Sequence, residues 1–255
     1  MHAMPGMLAI ELSARVGSVA LRDLEGRVAE RRFEPGDRSR EPLLSEIDRL
    51  VREASMRPAD LRAIGVSTGP GGFTGLRISI AAAKGIAAAL GIRTVPVPSA
   101  LVIAESTSID DASLHAASSV LTMVASKRGS AWLHRAVCDE HAPGGWRTIG
   151  EPSAVSRPEI EASPAWHDLD GTVLLADEHQ DPTIVEALCE RGALRWSGGT
   201  RTPPITAMGC LRLAERLHAA GAAIAPEALL PTYPREPEAV TLWNLRHPQA
   251  SARSG

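Results

Sequence analysis

The chain has 255 residues, 44% of them hydrophobic, with 27 Lys and Arg against 30 Asp and Glu for a formal net charge of −3. That length and apolar content suffice for a substantial core in two compact lobes, while the absence of net positive charge and an aromatic content of only 3% argue against a nucleic-acid footprint or a base-stacking platform. Cys138, Cys189 and Cys210 are too scattered for a disulfide framework or a zinc ribbon. With no run of eighteen apolar residues and no signal-peptide pattern in MHAMPGMLAIEL, the expected setting is the cytoplasm, with no membrane.

Residues 7–12, 18–22 and 27–33 read as three strands joined by short turns, the first through Ser13 to Gly17, and so as an antiparallel meander. A loop from Glu34 to Arg40 leads to a helix with Pro42 in its first turn, where proline is tolerated. Leu43, Leu44, Ile47, Leu50, Val51 and Ala54 form one stripe, with Arg49, Arg52 and Glu53 outside it.

The most specific stretch is IGVSTGPGGFTGLRISIAAAKGIAAAL, residues 64–90. It predicts a buried strand, a glycine turn from Gly69 to Gly75, and a helix starting near Thr74 or Gly75 and ending at Gly91. Gly69, Gly71, Gly72 and Gly75 can take positive φ or admit close backbone approach, and Thr74 is a fair N-cap. Such a turn before a helix aims N–H groups at one point, a candidate anion or nucleotide site formed by these glycines with Thr74 and Arg77. The spacing G-x-G-G-x-x-G is neither a P-loop nor a dinucleotide fingerprint, and a tight packed turn explains the same residues. On the helix, Leu76, Ile80, Ala83, Ala87 and Leu90 share one face, while Ile78, Ala82, Gly85 and Ala89 share a second made of small residues. Two apolar faces predict burial on both sides, one of them by the same chain or a partner.

Beyond it, residues 94–97 predict a strand and residues 100–105 a helix, with the polar run 106–113 as the lobe boundary. Residues 120–125 and 131–138 read as paired strands, 141–170 as loop-rich, 172–176 as a buried strand, and 182–191 and 207–220 as helices. The organisation expected is a lobe over residues 1–105, a second over 106–235, and a tail over 236–255.

A search for chemistry finds no catalytic residue and no metal site. No HxxxH, H-E-x-x-H or G-x-S-x-G occurs, and His134 and His141 with Cys138 between them lack ligand spacing.

The segment GPGGFTGLRISIAAAKGIAAALGI resembles the G-P-G-S-F-T-G-L-R-I-G signature of the bacterial TsaB (YeaZ) family, with Gly72 where that family has Ser. MLAIELSARVGSVAL and PEALLPTYPRE resemble its opening and closing patterns. The resemblance implies an α/β chain of the actin-like (Hsp70-like) ATPase fold, with two lobes of mixed sheets flanked by helices. In that fold's ATPases the first hairpin carries a phosphate-handling Asp; Glu11 stands there, with Ser13 and Arg15 in the turn. Ser39 and Arg40 replace a family His-Ser pair, and Ala125 to Gly129 keep a basic pair, Lys127 and Arg128, without the family's leading carboxylate. The implied function is a non-catalytic partner of TsaD, acting with the ATPase TsaE in transferring a threonylcarbamoyl group to the adenosine beside the anticodon of tRNAs reading ANN codons. The chain would touch tRNA only through the complex and hold no cofactor of its own, ATP or ADP entering only in the assembly. The expected partner or homodimer surface is Ile78, Ala82, Gly85 and Ala89 with Leu43, Ile47 and Leu50 of the preceding helix. Two other readings stay open: an actin-fold ATP-dependent phosphotransferase using Glu11 and the glycine turn, and a glycoprotease-like peptidase.

Overall fold

The computed structural model describes residues 6–34, 42–126, 129–177, 179–198 and 202–233. Ser39, Arg40, Lys127, Arg128 and the tail from 236 lie outside the described residues.

The opening meander forms as the turn chemistry predicts: β1 (Met7–Glu11), β2 (Gly17–Arg22) and β3 (Val28–Phe33) pair antiparallel. After α1 (Leu43–Glu53), β4 (Ala63–Gly69) joins β1 in parallel, α2 (Phe73–Leu90) follows, and β5 (Arg93–Pro98) adds parallel to β4. The five strands lie in the order β3-β2-β1-β4-β5. Helix α3 (Ser99–Asp110) leads to a second sheet built the same way, a meander of β6 (Ser119–Ala125), β7 (Ala131–Cys138) and β8 (Trp146–Val155) continued by parallel β9 (Thr172–Leu175) and β10 (Leu194–Arg195). Its order, β10-β9-β6-β7-β8, repeats the first strand for strand. Helices α4 (Arg157–Ala162) and α5 (Pro182–Cys189) accompany it.

Alternation along the central strands splits the first lobe into two cores. Leu8, Ile10, Val19, Leu21, Ile64 and Val66 pack with α1 and α2, while Met7, Ala9, Ala20, Ala63 and Val95 pack with α3 and α6 (Ala207–Ala219). Helix α6 belongs in sequence to the second half, yet it lies on the first sheet. A Cβ on Gly65 would sit 2.4 Å from the Ala214 Cβ, so glycine in β4 lets α6 approach. Its first turn is held from the meander: Ser18 Oγ accepts from the Ala207 N–H at 2.7 Å and Glu30 Oε1 from that of Met208 at 2.8 Å. Thr206 supplies the N-cap bond to Gly209.

Two expectations from sequence are corrected. The polar run from residue 106 does not separate lobes at its start, because α3 continues to Asp110 with Ser106, Thr107 and Ser108 buried against α6 and the second sheet. Those hydroxyls find internal partners: Ser106 Oγ accepts from the Thr206 N–H at 3.1 Å and Thr107 donates to the Ile103 carbonyl at 2.7 Å. Within the expected loop region, Trp146–Val155 is the ten-residue strand β8. Gly150 and Pro152 conceal it, since the pairing shifts register between Leu133 and Arg135 and a bulge at the sheet edge absorbs both residues.

Candidate functional site

The glycine turn is wedged between two other segments. A Cβ would lie 2.5 Å from the Thr232 carbonyl oxygen at Gly69, 2.6 Å from Ser13 at Gly71, and 2.0 Å from the Leu12 carbonyl oxygen at Gly75. Only Gly69, at φ +107°, among the turn's glycines takes a left-handed conformation, so Gly75 is required by close approach and not by its φ. The N–H of Gly72 donates to the Ser13 carbonyl at 2.7 Å, so one donor expected to face an anion is used internally. Helix α2 begins at Phe73 with Gly72 as N-cap, earlier than the expected start, and Thr74 is an exposed first-turn residue with no capping role. Arg77 is placed with its guanidinium carbon 4.6 Å from the centre of the Phe73 ring.

Beneath this turn Glu11 is fully buried. Its Oε1 accepts from the Ser13 N–H at 2.6 Å and from the Ser13 hydroxyl at 2.5 Å, while Oε2 and the nearby Ser67 hydroxyl have no hydrogen-bond partner among the described residues. Burial pushes the carboxyl pKa up, and the Ser13 hydroxyl and N–H together with the nearby Ser67 hydroxyl oppose that shift only in part. A buried carboxyl whose pKa is raised in the fold makes its full contribution to stability below the ordinary carboxylate pKa and loses it as pH rises through the raised value. Glu11→Gln is therefore expected to flatten the decline in melting temperature as pH rises above the ordinary carboxylate range, and an unchanged pH profile would show that Glu11 is ionised in the fold.

The two faces of α2 separate as their spacing predicts. Leu76, Ile80, Ala83 and Ala87 are buried on the first sheet and Leu90 half-buried, while Ile78 and Ala82 are half-buried and Gly85 and Ala89 exposed. A Cβ on Gly85 would meet nothing within 4 Å. The helix has the length and composition of a membrane span, at a mean hydropathy of 1.3, but it is seated by one face in the core.

The residues expected to extend this surface from α1 do not. Leu43, Ile47 and Leu50 are buried in the same core as Ile80 and Ala83, because a helix with a single apolar stripe uses that stripe on its own sheet. What α1 presents outward is Leu44, 61% exposed, among Asp48, Arg49 and Arg52. The structure adds an aromatic pair that spacing did not indicate: Phe73, 55% exposed, lies with its ring 5.5 Å from that of Tyr233. The chain has only two Phe and one Tyr, so two of these three rings stand at the start of α2. That scarcity was the available signal. The closing loop is tied to the same helix, with Lys84 Nζ donating to the Glu227 carbonyl at 3.2 Å and the Thr232 N–H to Thr68 at 2.6 Å.

Between the lobes opens a cleft of about 660 Å³. The turn Ser13–Val16 and residues Pro70–Gly72 line one side, and Met123, Leu175, Asp177, His179 and Gln180 are among those lining the other. Glu11 does not line it. Among the described residues no three or more His, Cys, Asp or Glu side chains gather to hold a metal. His134 is an internal strand residue, its Nε2 2.9 Å from the Thr148 hydroxyl and its pKa lowered by burial to about 4, while His141 is an exposed turn residue.

Two mixed sheets of identical strand order, each flanked by helices around a cleft, define the actin-like ATPase fold. Two crystal structures from Pseudomonas aeruginosa share it. An uncharacterized protein with similarity to peptidase YeaZ superposes at a TM-score of 0.73 with 24% identity, over 91% of this chain and 100% of that one. YeaZ itself gives 0.70 with 23% identity, over 89% and 99%. The family model of TsaD, tRNA N6-adenosine threonylcarbamoyltransferase, matches residues 36–132, a span that contains the glycine turn and all of α2. The two likenesses show the fold, and the TsaD family model covers less than half of the chain.

Proposed function

We propose that this chain is a TsaB-type partner subunit without chemistry of its own, which pairs with a TsaD-type transferase and a TsaE-type ATPase in making threonylcarbamoyladenosine in tRNA. The observation that carries this reading is the open face of α2: an apolar helix seated on its own sheet by one side, with Gly85 and Ala89 exposed and Ile78 and Ala82 only half-buried among the described residues. Small residues let a partner helix approach closely, and the neighbouring Phe73, Arg77 and Tyr233 are residue types that anchor interfaces. A second copy of the chain would use the same face in the absence of a partner. In this reading tRNA is held through the complex, ATP or ADP enters only there, and the protein acts in the cytoplasm. Glu11, fully buried and not lining the cleft, counts against the phosphotransferase alternative, which needs a carboxylate facing the cleft.

Co-expression with the transferase of the same organism tests the proposal. A stable complex that elutes ahead of either chain alone is expected, together with threonylcarbamoyl transfer that requires both. Two chains that elute separately at micromolar concentration, or transfer undiminished without this protein, would overturn it.

A further inference from the structure

The interlobe cleft has features for which pairing through α2 has no use. Its volume of about 660 Å³ is within the range of small-molecule sites. Ile103, Met123, Leu175 and Ile205 give it an apolar lining. Arg15, in the first hairpin turn, also lines it and forms no ion pair among the described residues. From the other lobe comes Gln180, which is buried and whose amide oxygen has no hydrogen-bond donor among the described residues. An exposed, unpaired guanidinium lining a cleft can take an anion, and a buried amide oxygen left without a donor calls for an N–H or O–H.

A metal–nucleotide is a poor match to this set. The Gly72 N–H is already given to Ser13, and the Glu11 carboxyl bonds Ser13 beneath the turn instead of lining the cleft. A single compact anion with an apolar body and one donor uses what is present. We propose that the cleft binds a small amphipathic carboxylate of the N-acylated amino acid class, its carboxylate on Arg15, its amide N–H on Gln180, and its side chain over the apolar lining.

The probe is N-acetyl-L-leucine, titrated into the full chain by calorimetry and by ligand-observed NMR. Saturable binding near about 1 mM is expected, weakened about tenfold for N-acetyl-L-leucinamide, which lacks the carboxylate, and for Arg15→Ala and Gln180→Leu. Matching thermal melts establish that the variants fold, and the leucinamide comparison needs no variant at all. No saturation by about 20 mM, equal affinity for acid and amide, or displacement by Mg-ATP at lower concentration would each overturn the assignment. Arg15 is remote in role from the α2 face, so Arg15→Ala should still capture the transferase; loss of capture in that variant would assign Arg15 to the partner surface and refute its role here.

Discussion

Gly75→Val is expected to yield no stably folded protein. The carbonyl oxygen of Leu12 lies 2.0 Å from where the first side-chain carbon would go, and a backbone atom cannot swing aside as the end of a flexible side chain can. Relief requires moving the first turn of α2 by more than an ångström away from β1, which drags Leu76, Ile80 and Ala83 out of a close-packed core. Overpacking of this kind costs about 1–3 kcal/mol where the surroundings can yield and more where they are backbone, against a total stability of roughly 5–15 kcal/mol. Gly75→Ala carries the same first carbon and should be severely destabilised as well. The internal control is Gly72→Ser: the added carbon would be 3.4 Å from the Ser13 oxygen, an ordinary contact, and serine is a good N-cap at the position Gly72 occupies. Urea melts of the three variants check this. A Gly75→Val protein that melts like the parent would mean that the turn is not wedged against β1.

What was legible in the sequence was what periodicity and turn chemistry encode locally. The meander, the strand–turn–helix of residues 63–91 and the two faces of α2 follow from patterns of 2 and 3.6 residues and from glycine placement. The need for glycine at position 75 was legible, with positive φ and close approach as its two possible causes, but the choice between them was not: the Leu12 oxygen is brought there by the end of β1, about sixty residues earlier in the chain. Helix α1 shows the same limit. Its apolar stripe was plain, but a stripe does not say whether the chain's own sheet or a partner will cover it, and Leu43, Ile47 and Leu50 went to the sheet. Strand β8 and the last turns of α3 were hidden because a bulge absorbs Gly150 and Pro152 and because buried hydroxyls pair across α6, both tertiary events. The cleft was beyond reach for the same reason, since Arg15 and Gln180 come to line one cleft only through the packing of the two lobes.

The open face of α2 leads to the remaining large effect: Ala82→Arg and Gly85→Arg should leave the free chain folded and remove its ability to associate. At Gly85 a new Cβ would meet nothing within 4 Å, and exchanging glycine for arginine inside a helix favours the helix by up to about 0.8 kcal/mol. Ala82 is half-buried, but an arginine there can lay its methylenes over Ile78 and Ile86 and carry its charge to water. Neither route exists once a partner helix covers the stripe. The guanidinium would then be buried without a carboxylate, at a cost of about 3–5 kcal/mol, or two to three orders of magnitude in affinity. Circular dichroism and thermal melting should therefore match the parent, with Gly85→Arg melting no lower, while analytical ultracentrifugation shows only monomer and pull-down of the transferase fails. If either variant unfolds, α2 is covered on both faces by this chain itself. If both fold and still capture the transferase, the partner docks elsewhere, and the tilted pair of Phe73 and Tyr233 becomes the surface to replace next, by Phe73→Ala.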